Sequence, residues 1–110
     1  MDSKTDKFVS MIGFAKRAGK IVYGYDNLKS SRGVKLLAVS GTASVNLADG
    51  MKRLAEQKRI PLVMAAALEE VVGNNVKALG LTDGNMASAV VQFVSNDESV
   101  QYKLENGLRR

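Results

Sequence analysis

The feature that most constrains the fold of this sequence is an alternation between short apolar runs and longer segments with helical spacing. Four apolar runs lie between turn residues, which predicts strands; they cover 21–23, 34–39, 60–65 and 76–81. The other segments carry apolar residues three or four positions apart, which predicts helices over 5–18, 25–32, 44–58, 67–72 and 85–95. This alternation favours an α/β fold, and we expect a three-layer α/β/α sandwich with a small mixed sheet of about four strands.

The chain has the length of one domain, and its last residues differ in character from the rest. Its 110 residues are 45% hydrophobic, which is sufficient for one ordinary core. We therefore predict a single domain over 1–95 and a polar C-terminal extension over 96–110. The pattern of the extension is compatible with a short added strand, a short helix or a mobile end.

Charge is distributed unevenly along the chain. The net charge is +5, but residues 1–60 hold 12 Lys and Arg against 5 Asp and Glu, whereas residues 61–110 hold 4 against 6. A positive excess in one half can steer a polyanion to one side of a small domain. The simpler alternative is that these cations only make exposed helix faces soluble.

Missing residue types narrow the possible chemistry. The sequence has neither cysteine nor histidine, which excludes disulfides and thiolate metal sites and removes the commonest general base. We expect no enzyme activity, no cofactor and no metal. No apolar run approaches the ~20 residues that span a bilayer, and the N-terminus lacks the layout of a signal peptide. We therefore expect a cytoplasmic protein that has no membrane partner.

The segment 13–24 ends a basic helix, continues through a glycine and a short strand, and leads into a new helix. Amides at that new helix start predict an anion site, and the polar residues there have side chains that can bind base edges. We expect the Lys and Arg side chains near this helix start to contact the phosphates of an RNA backbone. The predicted RNA-contacting residues of this region are Lys16, Arg17, Lys20, Gly24, Tyr25, Asp26, Asn27, Lys29 and Arg32. The alternative is an ordinary helix cap with solvated lysines.

Two other loops are candidates for binding. The loop 40–44 follows a buried strand and precedes a helix, where open α/β folds bind phosphates, but it lacks a nucleotide-binding glycine motif. A helix cap by Ser44 or Thr42 explains it equally well. The loop after the helix at 67–72 is suited to contact an extruded base through its backbone, although an ordinary turn also explains it. Glu69 and Glu70 are an unconvincing catalytic pair, because adjacent helical residues do not face each other.

In four segments of the chain, the sequence resembles the kink-turn RNA-binding ribosomal proteins of the L-seven-Ae, L-thirty-e and Gadd-type superfamily, and in particular their small bacterial YlxQ-like branch. The segment 8–24 is similar to that branch's "LGLAxRAGKxVSG" block. The segments 34–39, 58–63 and 81–87 match its "AKLVLLA", "xxxVPxxx" and "VTDxxFA" segments in order. The resemblance covers residues 8–95 and implies an α/β/α sandwich that recognises a kinked RNA helix.

The resemblance also implies particular contacts. Gly24, Tyr25, Asp26 and Asn27 would form the recognition turn, with Lys20 and Lys29 beside it. A second RNA-contacting loop would contain Val72, Gly73 and Asn74. Kink-turn binders have Gly-x-Asn-Glu at the turn, whereas this chain has Gly24-Tyr25-Asp26-Asn27.

The leading hypothesis is therefore a non-enzymatic protein that binds structured RNA, with a kink-turn as the specific case. Its partners would be ribosomal RNA or another kinked RNA, together with ribosome or ribonucleoprotein components. Two alternatives are a protein-interaction module on the same fold and a domain that binds a small ligand or nucleotide through residues 40–44.

Overall fold

The structure of the chain, a computed structural model, describes residues 3–65, 68–73, 75–95 and 103–105. Helices and strands alternate along the chain. The elements are α1 (Ser3–Arg17), β1 (Ile21–Tyr23), α2 (Tyr25–Ser30), β2 (Leu36–Ser40), α3 (Val45–Lys58), β3 (Leu62–Ala65), α4 (Leu68–Val72), β4 (Ala78–Leu81), α5 (Gly84–Ser95) and β5 (Lys103–Glu105).

The strands form one mixed sheet in the order β1-β4-β2-β3-β5. β2 and β3 are parallel, with Ala38 opposite Val63. β4 lies antiparallel between β1 and β2, so that Leu81 faces both Ile21 and Leu36. β1, β2 and β3 therefore point in one direction, and the loops that follow them emerge at the same edge of the sheet.

The helices cover both faces of this sheet. On one face α1, α4 and α5 contribute Ile12, Leu68 and Val90 to a buried cluster. On the other face α2 and α3 contribute Leu28 and Met51. Strand residues alternate between the two clusters, as the two-residue period of a strand requires. The expected three-layer α/β/α sandwich is confirmed.

The ends of the elements follow local chemistry. α1 ends at Arg17. Gly19, two residues later, has a positive φ of 70° and suits this left-handed helix stop because it has no Cβ. Pro61 lies just before β3, where a missing amide costs least, and its carbonyl accepts a hydrogen bond from Leu37 N at 2.9 Å. Asp83 caps α5 through Oδ1, which accepts from the amides of Asn85 (2.8 Å) and Met86 (3.0 Å).

The sheet has one strand more than the sequence predicts. Residues 103–105 form β5, which pairs antiparallel with β3 through Met64 and Lys103. A short added strand was one of the alternatives left open for the C-terminal extension, and these three residues form such a strand. The remainder of 96–110 lies outside the described residues. Across the described ranges, no helix has both the length and the apolar character needed to cross a membrane.

Candidate nucleic-acid interface

The loops after β1 and β2 and the segment before β4 meet at one edge of the sheet. We call this the Gly24 edge; it comprises residues 24–27, 41–44, 73 and 75–77. Backbone hydrogen bonds hold it together: Gly24 N donates to Ala78 O at 3.1 Å, and Ser40 N donates to Lys77 O at 2.8 Å. Segments that are far apart in sequence are therefore neighbours here.

Gly24 makes the sharp turn from β1 into α2. Its φ of 88° and ψ of 146° lie in a region that residues with a Cβ rarely occupy. Its carbonyl accepts the first helical hydrogen bond, from Leu28 N at 3.0 Å, and the Leu28 side chain is fully buried. Leu28 thus anchors α2 to the core and fixes the position of this turn.

The polar residues at the start of α2 have distinct environments. Asp26 and Asn27 are exposed. Asn27 Nδ2 donates to Tyr23 O at 2.9 Å, which leaves its Oδ1 as an acceptor at the surface. Tyr25 is half-buried, and its ring packs on α3 so closely that a Cβ at Gly50 would lie 3.2 Å from Tyr25 Cε1. Because α2 has only six residues, recognition at this turn would depend on side chains more than on a helix dipole.

A depression of about 400 Å³ lies beside this turn. Its apolar wall is contributed by Tyr23, Leu47, Val76 and Ala78, and it is also lined by Gly24, Tyr25, Asn75 and Lys77. Asn75 is exposed and has a left-handed backbone, with φ of 57°. Apolar walls that carry a few amide and ammonium groups suit a planar base whose edge needs hydrogen-bond partners.

The second predicted contact loop is only partly available. Val72 is 7% exposed and packs in the core with α1 and α5, so its side chain is not available for contact with RNA. Gly73 is half-buried, has φ of 87°, and accepts a hydrogen bond from Val76 N at 3.2 Å. Asn74 lies outside the described residues. Asn75, the second asparagine of the candidate loop, lines the depression together with Val76 and Lys77, which the sequence did not suggest.

The predicted cations are not at the Gly24 edge. Lys16 and Arg17 end α1, and Lys20 precedes β1, whereas Gly24 follows β1. The three residues of β1 separate Lys20 from Gly24, and the four residue steps between their Cα atoms span roughly 13 Å. The expectation that these cations approach the recognition turn is therefore wrong in its geometry. Lys29 is exposed in the last turn of α2, and Arg32 is exposed beyond that helix.

A hydrogen-bonded cluster that sequence reasoning missed joins two loops near this edge. Ser40 Oγ donates to Glu69 Oε1, and Thr42 Oγ1 donates to Glu69 Oε2, both at 2.6 Å. Ser40 Oγ also accepts from the amides of Thr42 and Leu68, each at 3.2 Å. The two hydroxyl groups, in that order of effect, lower the pKa of Glu69 to about 2.

This cluster changes the interpretation of the loop 40–44. Its Ser40 and Thr42 hydroxyls bind Glu69, and Ser44 Oγ caps α3 by accepting from Leu47 N at 3.1 Å. The alternative explanation of Ser44 as a helix cap is confirmed. A phosphate would have to displace a carboxylate to reach these hydroxyls, so the geometry does not favour a nucleotide site. The parallel pairing of β2 and β3 could have revealed this contact. It puts Ser40, at the end of β2, opposite Ala65, at the end of β3, and α4 follows β3 in the chain.

The described residues offer no metal site, since they contain no group of three or more carboxylate, histidine or cysteine side chains close enough to hold an ion. The Glu69 cluster holds a carboxyl group with a lowered pKa, and the depression presents amide and ammonium groups beside apolar walls.

Comparison with known proteins supports the fold alone. No protein-family model and no curated protein matches the sequence. A solved structure from Bacillus halodurans, described as a protein with unknown function, is similar to this chain with a TM-score of 0.73 at 17% sequence identity. The similarity covers 80% of this chain and 96% of that chain.

Proposed function

We propose that this protein is a non-enzymatic RNA-binding protein that recognises structured RNA at the Gly24 edge. One observation carries the proposal: residues 23–25 and 75–78, which are distant in sequence, together line a depression whose apolar walls carry amide and ammonium groups. The resemblance to kink-turn binders supports it, because that resemblance implies contacts from the turn at Gly24 and from the loop that begins at Val72.

The groups at the depression suggest how a base would bind. An extruded base would lie against Tyr23, Leu47 and Val76, since stacking and apolar contact provide most of the affinity for unpaired bases. Asn27 does not line the depression, but its Nδ2 donates to the carbonyl of Tyr23, which does. Its Oδ1 would therefore accept a hydrogen bond from an exocyclic amino group beside the depression. Gly24 has no side chain, and this lets the RNA backbone approach closely.

Lys77 would provide the charge at this site. It lines the depression and lies in the segment that hydrogen-bonds β2 through Ser40 N. An ammonium group at the rim would contact a phosphate next to the bound base. Asp26 lies at the other side of the turn. An RNA strand that ran past Asp26 instead of Lys77 would bring its phosphates close to a carboxylate, so the charges favour one orientation of the RNA.

This arrangement favours RNA in which bases are unpaired or splayed, such as an internal loop or a kink-turn in ribosomal or other structured RNA, over a uniform duplex. The bases of a straight A-form helix are stacked, and the narrow major groove keeps side chains away from them. Ribosome or ribonucleoprotein association would follow from an RNA of this kind.

Fluorescence anisotropy with two labelled RNAs tests the proposal. One RNA contains a kink-turn, and the other is a straight duplex of the same length. We expect tighter binding to the kink-turn RNA, and we expect Asn27→Ala and Lys77→Ala to weaken it, each by roughly 5- to 150-fold, the effect of ~1–3 kcal/mol for a specific contact. Gln92→Ala, at an exposed residue of α5, is the matched control and should bind as the wild type does. Absence of binding to both RNAs at low salt would refute the proposal, whereas equal binding to both would refute the preference for kinked RNA.

A further inference from the structure

The edge of the sheet opposite the Gly24 edge concentrates positive charge. We call it the Lys20 edge; it comprises residues 16–20, 31–35, 56–61 and 82–83, which end α1, α2, α3 and β4 or connect to the next element. Six of its cations are exposed and Lys58 is half-buried. They are Lys16, Arg17, Lys20, Arg32, Lys35, Lys58 and Arg59.

Backbone hydrogen bonds show that these cations are neighbours. Lys20 O accepts from Thr82 N at 2.9 Å, and Lys35 N donates to Leu81 O at 2.7 Å. Lys20 and Lys35 therefore flank the end of β4, about 10 Å apart, which is two strand spacings. Lys58 Nζ donates to Ser31 O at 2.7 Å, so the end of α3 lies next to the segment that contains Arg32.

The two edges have opposite charge balances. At the Lys20 edge, seven cations stand against two carboxylates, Glu56 and Asp83, a balance of +5. At the Gly24 edge and the adjoining first turn of α4, Lys77 stands against Asp26, Glu69 and Glu70, a balance of −2. These counts cover the residues whose side chains the structure describes within 10–92. The charge that a polyanion would meet first is thus far from the proposed base pocket.

Helix dipoles explain only part of this cluster. Cations in the last turns of α1 and α3 are favoured by the negative helix end, which accounts for Lys16, Arg17 and Lys58. Lys20, Arg32, Lys35 and Arg59 lie outside helices, and their mutual repulsion would oppose folding. An anion bound across them would relieve that repulsion.

An exposed aromatic residue lies near this edge. Phe14 is 53% exposed and precedes Arg17 by three residues on α1, so the two side chains are neighbours on the helix surface. A solvent-exposed aromatic ring near guanidinium and ammonium groups is the combination on which single-stranded nucleic acids stack. Phe14 therefore favours a nucleic acid over a simple anionic surface.

We propose that the Lys20 edge is a second RNA-binding surface, which holds the phosphate backbone of an RNA segment distinct from the one read at the Gly24 edge. This inference rests on the proposed function, because the partner is taken to be the same RNA. The Lys20 edge contributes affinity without sequence preference, while the Gly24 edge contributes selectivity. The protein would then contact two segments of one folded RNA.

The salt dependence of binding tests this inference. The variant Lys20→Glu/Lys35→Glu is compared with Lys52→Glu/Arg53→Glu, which reverses two exposed charges in the middle of α3 and changes the net charge equally. The affinity of each variant for the kink-turn RNA is measured between about 50 and 200 mM salt, a range wide enough to determine the slope of log K against log salt. The plot of log K against log salt has a negative slope. We expect the Lys20/Lys35 variant to reduce the magnitude of this slope by about 1.4–1.8, the value for two lost phosphate contacts. The control variant should leave the slope unchanged.

The possible outcomes separate the two claims. If wild-type protein binds no RNA at low salt, the proposed function fails and this inference fails with it. If wild type binds and both variants have the same slope, only the second surface is refuted. Stronger binding to phosphatidylserine vesicles than to RNA, lost in the Lys20/Lys35 variant, would also refute it by assigning the edge to a lipid surface. Should charge reversal unfold the protein, judged by circular dichroism, Lys20→Gln/Lys35→Gln provides the same comparison with half the charge change.

Discussion

Replacement of Gly80 by alanine should destabilise the protein, because β4 has no space for a side chain at this position. A Cβ at Gly80 would lie 2.6 Å from Leu28 Cδ2, 2.9 Å from Val34 Cγ1 and 3.1 Å from the carbonyl oxygen of Leu36. Ordinary carbon contacts are ~3.5–4.0 Å. Both side chains are buried in the cluster beneath α2 and α3, so either they or the strand must move.

The expected loss of stability is about 1–3 kcal/mol, the usual effect of overpacking a well-packed core. For a domain of this size each kcal/mol lowers Tm by roughly 4–8 °C. Urea denaturation followed by circular dichroism measures the change. Gly33→Ala is the matched control, because nothing lies within 4 Å of a Cβ at Gly33, and it should be neutral or slightly stabilising.

A double-mutant cycle tests the cause. Leu28→Ala alone should cost about 2–5 kcal/mol, since it removes a fully buried side chain. Gly80→Ala combined with Leu28→Ala should cost less than the sum by ~0.5 kcal/mol or more, because the shortest contact is then absent. Relief is incomplete, since Val34 and the Leu36 carbonyl remain. A Gly80→Ala protein as stable as wild type, or costs that add fully, would refute this account of β4.

Three further predictions concern the loops near the Gly24 edge. Glu69→Gln should be less stable than wild type at neutral pH. This difference should shrink as the pH falls from about 4.5 toward about 2, because the lowered pKa of Glu69 gives stability that is complete above its ordinary pKa of 4.5 and is lost on protonation. Denaturation curves across this range would contradict the hydrogen-bonding account if the two proteins differed equally at every pH. Ser44→Ala should lower the free energy of unfolding by about 0.5–2 kcal/mol, because the α3 cap is lost. Ser44→Thr is the control in thermal denaturation, since it keeps the capping hydroxyl and should retain most of that stability. Gly24→Ala should cost about 1–3 kcal/mol, because alanine is strained at φ 88°; unchanged stability would show that this turn tolerates a Cβ.

The architecture could be predicted from the sequence because its determinants are local. Apolar runs of strand length, helical spacing and stops such as Gly19 are visible within ten to fifteen residues, and together they imply the three-layer sandwich. The Asp83 and Ser44 caps are similarly local, since each side chain binds amides two or three residues away. The short strand β5 was left open because a single leucine between two charged residues gives no clear period, and only its pairing with β3 defines it.

The features that could not be predicted depend on which ends of the strands meet. Lys20 and Gly24 are close in sequence, yet the direction of β1 places them at opposite edges of the sheet. Conversely, Glu69 binds Ser40 and Thr42 across more than 25 residues, and Lys77 lies beside the turn at Gly24 because β4 pairs with β1. Gly80 lies within the apolar run 76–81, and only the packing of Leu28 and Val34 against that strand shows why the residue there is a glycine.

RNA recognition at the Gly24 edge is tested most directly by a titration of the ¹⁵N-labelled full chain with unlabelled kink-turn RNA, followed by ¹H–¹⁵N correlation spectra. The account predicts that the largest shift changes fall on the amides of Gly24–Asn27 and of residues 75–77, with smaller, salt-sensitive changes at Lys20 and Lys35. Changes confined to other surfaces, such as the exposed side of α5, or no changes at a concentration where anisotropy reports binding, would contradict it.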